Sequence, residues 1–493
     1  MMEKLIAELV IIFGIWVFLM YLTKVKGGEH FTLVGPLIMW KTGKGKKFID
    51  RIAKRKFWKG YGNAAIIITV IAMILTSLLV IWNVIISLKM PPQNAPSPRL
   101  IIGLPGINPV IPIGYGIIAL AIAIIFHEFS HGILARAGKI KVNSLGLLFL
   151  ILPIGAFVEP DEEQLMKVKR MKRARVFAAG PSTNIIIAII SILLLAFIFS
   201  PSIEPKENGI IAANNFENVE RWSIISSLNG KVIDNITSFE KASNNMEAGK
   251  FYNITYFKNG KIHSEKYLHG IIVIDTISKS PARNVIDKGS VIYKINGIEM
   301  NNITVFENFM NTTHADQKIN ISCYNGNFYN RSIVLANKYK FTYDEKDRGK
   351  GFIGIMVADI SNIVVPSSYY PNLYNPFKTN FLFFIALPFR GLSPFPKEIM
   401  PLYNVPMATI FWPLLNFFYW IFWLNFALGT FNALPAIPLD GGYIFKDGVG
   451  YIIERMKFKK ADKITSYVAS AISTIVLLAI FSILLIPHLR MLI

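Results

Sequence analysis

The sequence predicts a polytopic α-helical membrane protein of about six transmembrane helices and a re-entrant loop, with two small β-rich domains inserted. Three observations carry that prediction. Hydrophobic residues make up 53% of the 493-residue chain and charged residues only 17%, below the quarter usual for a soluble protein, and mean hydropathy is +0.43. The apolar residues gather into runs long enough to cross a bilayer. Between the fourth and fifth of these runs, from Ser200 to about Lys378, the chain turns polar and Asn-rich and repeats itself.

Charge orients the spans. The net charge of +21 marks cytoplasmic loops in a membrane protein, and no periodic aromatic residues accompany it to suggest nucleic acid. The single Cys323 excludes an internal disulfide and a thiolate metal cluster. Leu5 to Leu22 is long for a signal peptide and lacks a small-residue cleavage site, so it reads as a retained span. Lys24 to Lys59 reads as a solvated basic loop on the cytoplasmic side, and Ala64 to Leu88 as the second span. Lys89 to Pro112, with two basic residues, should lie outside. The third span, Tyr115 to Ala135, runs into Arg136, Lys139 and Lys141 and so ends in the cytoplasm.

Val142 to Val158 is apolar but interrupted by Gly146, Pro153 and Gly155, and basic residues flank it on both sides. A full crossing would break the charge rule, so a re-entrant loop or hairpin covered by protein is expected. Val176 to Phe199 leads outward as the fourth span. Asn380 to Leu387 is too short to cross. Pro406 to Asn432 re-enters, and basic residues from Lys446 to Lys463 follow. Thr465 to Ile486 is the last span, which places both termini outside.

The polar section carries its repeat at a constant offset of 67 residues. Ser223-x-Ile225-x-x-Leu228-Asn229-Gly230, continuing to Asn235-Ile236-Thr237-x-Phe239-Glu240, recurs as Ser290-x-Ile292-x-x-Ile295-Asn296-Gly297 and Asn302-Ile303-Thr304-x-Phe306-Glu307. Two copies of one small domain are expected, with strands joined by Asn-Gly hairpins. The second copy, from Ser280-Pro281-Ala282 to Gly289-Ser290, resembles the PDZ signature, with Ser290 where an Asp is usual. That resemblance implies capture of extended peptides by strand addition; a spacer that only shields the membrane part is the alternative. Six Asn-x-Ser/Thr sequons, at Asn235, Asn253, Asn302, Asn311, Asn320 and Asn330, agree with an external location.

The chemistry concentrates in the third span. His127 and His131 lie four residues apart, on one face of a helix, with Glu128 between them. This is the His-Glu-x-x-His arrangement of two metal ligands and a general base. His127 stands nine residues before Arg136, about 13 Å from the cytoplasmic end at 1.5 Å per residue. A catalytic zinc needs a third protein ligand and an open position. Asp440 is the candidate, as the lone carboxylate between Glu398 and Asp447, within the helix-breaking stretch Pro435 to Gly442.

Together, His127-Glu128-x-x-His131, then Gly180, Pro181 and Asn184, then Asn432-x-x-Pro435 leading to Leu439-Asp440-Gly441, resemble the site-2 protease family, intramembrane zinc metalloproteases often carrying PDZ domains between the two catalytic segments. Gly155-Ala156-Phe157-Val158 and Gly351-Phe352-Ile353-Gly354-Ile355 match as well, and the likeness runs from about Gly114 to Gly442. The resemblance implies that His127, His131 and Asp440 hold Zn²⁺ and that Glu128 is the general base on the metal-bound water, passing its proton to the leaving amine. It implies that Asn432 positions substrate or stabilises the oxyanion.

Substrates would be transmembrane helices of other proteins, unwound locally against the Asn-Pro stretch and the re-entrant loop, and the paired outer domains would filter them by size. The expected division is a first membrane part at 1–199, repeats at 200–268 and 269–340, a connector at 341–378 and a second membrane part at 379–493. The charge pattern implies a multi-pass protein of the cell membrane, with its site in the cytoplasmic half of the bilayer and the repeats outside. A zinc transporter, which needs ligands at several depths, and a catalytically inactive scaffold are the competing readings.

Overall fold

Inside a bilayer a backbone must satisfy its own hydrogen bonds, so long apolar runs fold as helices. The computed structural model describes the chain apart from residues 1, 27, 29, 91–94, 101–102, 151, 208, 218, 259, 459 and 490–493, and gives backbone only for 2–12, 150, 152–154 and 484. It divides into two units, one of residues 1–195 and 413–493, the other of residues 196–412.

In the first unit α1 (Met2–Lys26) covers the first expected span, though the side chains of its first half lie outside the described residues. There follow α2 (Lys46–Ala53), α3 (Phe57–Lys89), α4 (Ile113–Ala137), α5 (Glu162–Lys167), α6 (Arg170–Leu194), α7 (Ala408–Asn432), α8 (Asp440–Arg455) and α9 (Ala461–Leu489). Among the described residues five helices, α3, α4, α6, α7 and α9, are long and apolar enough to cross a membrane. The expected sixth would be α1.

Small residues mark where these helices meet. The buried stripe of α3 includes Gly62, Ala65, Thr69 and Ala72, while Ile67, Ile71, Ile74 and Leu78 remain exposed. Side chains this apolar face lipid comfortably, and the small ones let backbones approach. On α4 the buried stripe is Gly116, Ala119, Ala123, His127, Ser130, His131 and Leu134. The two histidines therefore lie on the packing face of α4, opposite α6.

One segment folds differently from expectation, and a second takes the hairpin form expected of it but with a partner that was not. The basic stretch after α1 is not simply a solvated loop: β1 (Phe31–Val34) and β2 (Leu37–Thr42) form a hairpin within it. Val142 to Val158 forms a second hairpin, of β3 (Val142–Leu150) and β4 (Leu152–Pro160), and the four strands make one antiparallel sheet in the order β1-β2-β3-β4. Gly146 is required at the β2–β3 crossing, since a Cβ there would run into the Trp40 carbonyl. The hairpin thus gains a partner for its β3 edge from sequence a hundred residues upstream, a pairing that local pattern does not reveal. Glu159 of β4 is tied to Ser144 and to Lys41.

The second unit contains the repeat. The first sheet runs Lys261–Leu268, Phe251–Lys258, Ile224–Leu228, Ile210–Ala212, Val364–Pro366. The second runs Asn327–Val334, Lys318–Asn325, Val291–Ile295, Ile271–Thr276, Ile355–Ala358, in the same relative order. Asn229 and Asn296 have φ of 49° and 48°, and Gly230 and Gly297 have 77° and 83°. Both pairs therefore turn with two positive φ values, as Asn-Gly hairpins require. Asn235 and Asn302 each cap the following helix, Ile236–Ser243 and Ile303–Asn311. The stretch 341–378, expected as a connector, supplies the last strand of both sheets. Asp359, between those two strands, accepts from the backbone amides of Ile303, Ser361 and Asn362.

Glu217 lies partly buried in this unit, its carboxylate accepting from the Leu268 amide. Burial pushes its pKa up to about 7. A carboxyl with a raised native pKa holds its proton more tightly when folded, so its penalty is absent below the unfolded value and grows as pH rises toward 7. His269 nearby is shifted down by burial and slopes the other way, so the comparison must be a difference between variants. Glu217→Gln should match wild type near pH 4.5. Above pH 7 it should gain of order 2 kcal/mol, read by hydrogen exchange across residues 210–268 of the full-length protein.

Candidate metal centre

Two ring nitrogens and one carboxylate oxygen converge in the first unit. Asp440 Oδ2 lies 3.1 Å from His127 Nε2 and 3.3 Å from His131 Nε2. The three ligand atoms fall within 4.8 Å of one another, so the three side chains could hold a metal ion. Both histidines are buried, and the Asp440 side chain is only 15% exposed.

Each imidazole is held by its far nitrogen. His131 Nδ1 lies 2.7 Å from the Val176 carbonyl of α6, which accepts a hydrogen bond from Nδ1–H and leaves the Nε2 lone pair facing Asp440. The Asn184 amide lies 3.3 Å from His127 Nδ1. Its oxygen is buried without a partner, and a half-turn of the amide lets that oxygen accept from Nδ1–H. Both rings would then carry the tautomer suited to a metal at Nε2.

Gly180 of α6 completes the cradle. A Cβ there would stand 2.5 Å from His127 Nε2 and from His131 Nε2, so a side chain would fill the space where the ligand atoms meet. Pro181 next to it lies inside α6, and its carbonyl faces Gly429 of α7, where a Cβ would approach to 2.9 Å.

Asp440 reaches the histidines because the chain breaks after α7. The peptides of Ala433 and Ala436 pack against Gly441 and Gly442 so closely that a Cβ on either glycine would overlap them. The Ile437 amide donates to Ser473 Oγ of α9 at 2.9 Å. Asp440 becomes the first residue of α8, where a helix N-terminus favours negative charge.

Glu128, half-buried, accepts at 3.1 Å from the Val158 amide on β4. A cavity of about 500 Å³ opens between these groups, with Phe157, Val158, Glu159, Phe177, Asn432 and Pro438 in its wall. Asn432 lines this cavity, but its amide donates back to the Leu428 carbonyl at 3.1 Å. The structure thus gathers His127, Glu128, His131, Asn432 and Asp440 around one space. Sequence reasoning singled out Gly180 and Asn184 as motif residues without giving them a task, and it missed the Val176 carbonyl and the Val158 amide. The spacing signal could have flagged the first two, since Gly180 and Asn184 share a helical face four residues apart. A backbone donor and a backbone acceptor carry no sequence signal.

The model for peptidase family M50 matches residues 115–476, more than two thirds of the chain. The chain belongs to peptidase family M50, the site-2 protease family. M50 peptidases are metallopeptidases. An uncharacterized protein of Methanocaldococcus jannaschii is 27% identical over 411 residues, spanning 82% of this chain and 75% of its own. Among solved structures the chain matches PDZ domains of SdrC-like proteins from Listeria innocua and Listeria monocytogenes. These are 21% and 22% identical, covering 18% of this chain and 92% and 90% of theirs, with TM-scores of 0.16.

For an M50 peptidase the donor set is apt: two neutral imidazoles and a carboxylate suit zinc and leave a position open. Gly180→Ala should fold yet lose the metal, because its methyl would occupy the ligand space. Metal analysis of the purified variant checks this, and retention of a full equivalent would contradict it.

Proposed function

We propose that this M50 peptidase is a zinc-dependent endopeptidase that cuts transmembrane segments of other proteins within the bilayer. The observation carrying this reading is one cavity that joins a His127–His131–Asp440 ligand set, the Glu128 carboxylate and the end strand β4, among helices long and apolar enough to span. Zn²⁺ bound by those three residues would supply Lewis acidity, lowering the pKa of water and polarising a carbonyl.

Glu128 serves as the general base: its carboxylate takes a proton from the attacking water and passes it to the leaving nitrogen. Its bond to the Val158 amide holds the carboxylate at the cavity wall and links it to β4. Strand β4 ends the sheet order, so its outer edge offers backbone groups to an extended peptide. A substrate helix must give up its internal hydrogen bonds before its carbonyls can be attacked, and pairing with a strand edge replaces them. Asn432, in the cavity wall, orients the substrate carbonyl once its amide leaves Leu428.

Charge supports the orientation. Arg136, Lys139 and Lys141 at the end of α4 and Arg170 to Arg175 at the start of α6 are basic clusters of the kind that favours the cytoplasmic side, which supports a metal set in the cytoplasmic half of a cell membrane with the repeats outside. The repeats, at 200–268 and 269–340, act as PDZ-like domains that filter substrates by size or engage extended peptides. A transporter would need ligands at several depths, whereas among the described residues the metal-binding groups gather in one place.

Purified protein mixed with a single-span test substrate provides the experiment. Cleavage should require zinc and stop on chelation. Glu128→Gln should lower the rate by about 10²–10⁴-fold while retaining its metal. If Glu128→Gln cuts as well as wild type, the mechanism is wrong.

A further inference from the structure

Helix α8 carries three carboxylates at seven-residue spacing: Asp440, Asp447 and Glu454. Seven residues are almost two turns, so all three share one face, separated by about 10.5 Å per step. That face meets α6, which runs antiparallel to it. Glu454 takes a two-pronged bond from Arg170. Asp447 takes another from Arg173, whose Nε donates at 2.8 Å. Tyr443 then stacks on Phe177, with ring centroids 4.5 Å apart and planes 8° from parallel. At the last step Gly180 of α6 lies beside the histidine ring nitrogens, and among the described residues Asp440 makes no ion pair with an arginine. His127 and His131 meet its carboxylate instead.

The two arginine pairs differ in setting. The Arg173 and Asp447 side chains are 14% and 9% exposed, those of Arg170 and Glu454 28% and 50%. A buried, forked arginine–carboxylate pair fixes direction as well as distance. It strongly penalises any slip that leaves one charge unpaired. Sliding α8 by one residue along α6 would turn all three carboxylates by about 100° at once. Gly450 belongs to the same contact: a Cβ on it would lie 3.0 Å from the Arg170 guanidinium.

We propose that Arg173–Asp447, assisted by Arg170–Glu454, sets the register of α8 on α6 and thereby delivers the Asp440 carboxylate to the histidine pair. These are positioning residues for the metal centre: the tight break before α8 packs its first turn at Gly441 and Gly442, and the arginine pairs hold the turns beyond it in the matching register. Each step of the ladder pairs a carboxylate with a cation, and at the third the cation is the metal ion. The proposal rests on the metalloprotease reading above.

The test uses full-length detergent-purified protein loaded with zinc, titrated with a competing chelator, and followed by retained zinc rather than by cleavage. Arg173→Gln and Asp447→Asn should each weaken zinc binding by about 10–100-fold. Arg170→Gln, at the more exposed pair, should weaken it less. Arg173→Lys, which keeps the charge and loses the fork, should fall between wild type and Arg173→Gln. A purely structural role would lower the unfolding temperature and leave zinc affinity of the folded fraction unchanged. Affinity within about twofold of wild type in Arg173→Gln or Asp447→Asn overturns the proposal, and if Arg173→Gln does not fold, unchanged affinity in Arg173→Lys does so. Wild type that binds no zinc would sink the metalloprotease reading and this proposal with it, whereas wild type that binds zinc no better than the variants sinks this proposal alone.

Discussion

A carboxylate and two imidazoles with their lone pairs turned toward one another are costly in an apolar surround unless a cation lies among them. That constraint organises the first unit. It explains why Gly180 faces the two histidine Nε2 atoms, since any larger residue would crowd the place of the cation. It explains why each imidazole is anchored at Nδ1, by Val176 and Asn184. It also gives sense to the tight break between α7 and α8, which brings a residue more than three hundred positions from His127 into contact with it.

The histidine pair was legible because it is local. His127 and His131 fall on one helical face by spacing alone, and Asp440 stands out as an isolated carboxylate beside prolines and glycines. The spans were legible for the same reason, since a twenty-residue apolar run admits few folds. The helix Asp440–Arg455 was not foreseen, because its seven-residue acidic pattern reads as surface charge until Arg170 and Arg173 are seen opposite. The sheet around the site was not foreseen either. Its strands β2 and β3 meet across about a hundred residues, and one of them lies in a stretch whose lysines suggested a solvated loop.

The repeat shows the same division between local and distant information. Its Asn-Gly turns recur in the backbone as the pattern implied, and the repeated asparagines at 235 and 302 turn out to cap matching helices. What the offset could not show is that one segment after the second copy closes both sheets. Ile355–Ala358 and Val364–Pro366 are joined by a single turn built on Asp359. An event at the edge of one sheet is therefore connected by five residues of chain, 359–363, to the edge of the other.

The central claim is that His127, His131 and Asp440 form one metal centre. Zinc-edge X-ray absorption on the purified full-length protein, beside an Asp440→Ala variant, tests it most directly. The account predicts one zinc per wild-type chain in a shell of two imidazole nitrogens and light-atom oxygen donors, with loss or severe depletion of the metal in Asp440→Ala. A wild-type chain without zinc, or the same spectrum and metal content in both proteins, would contradict it.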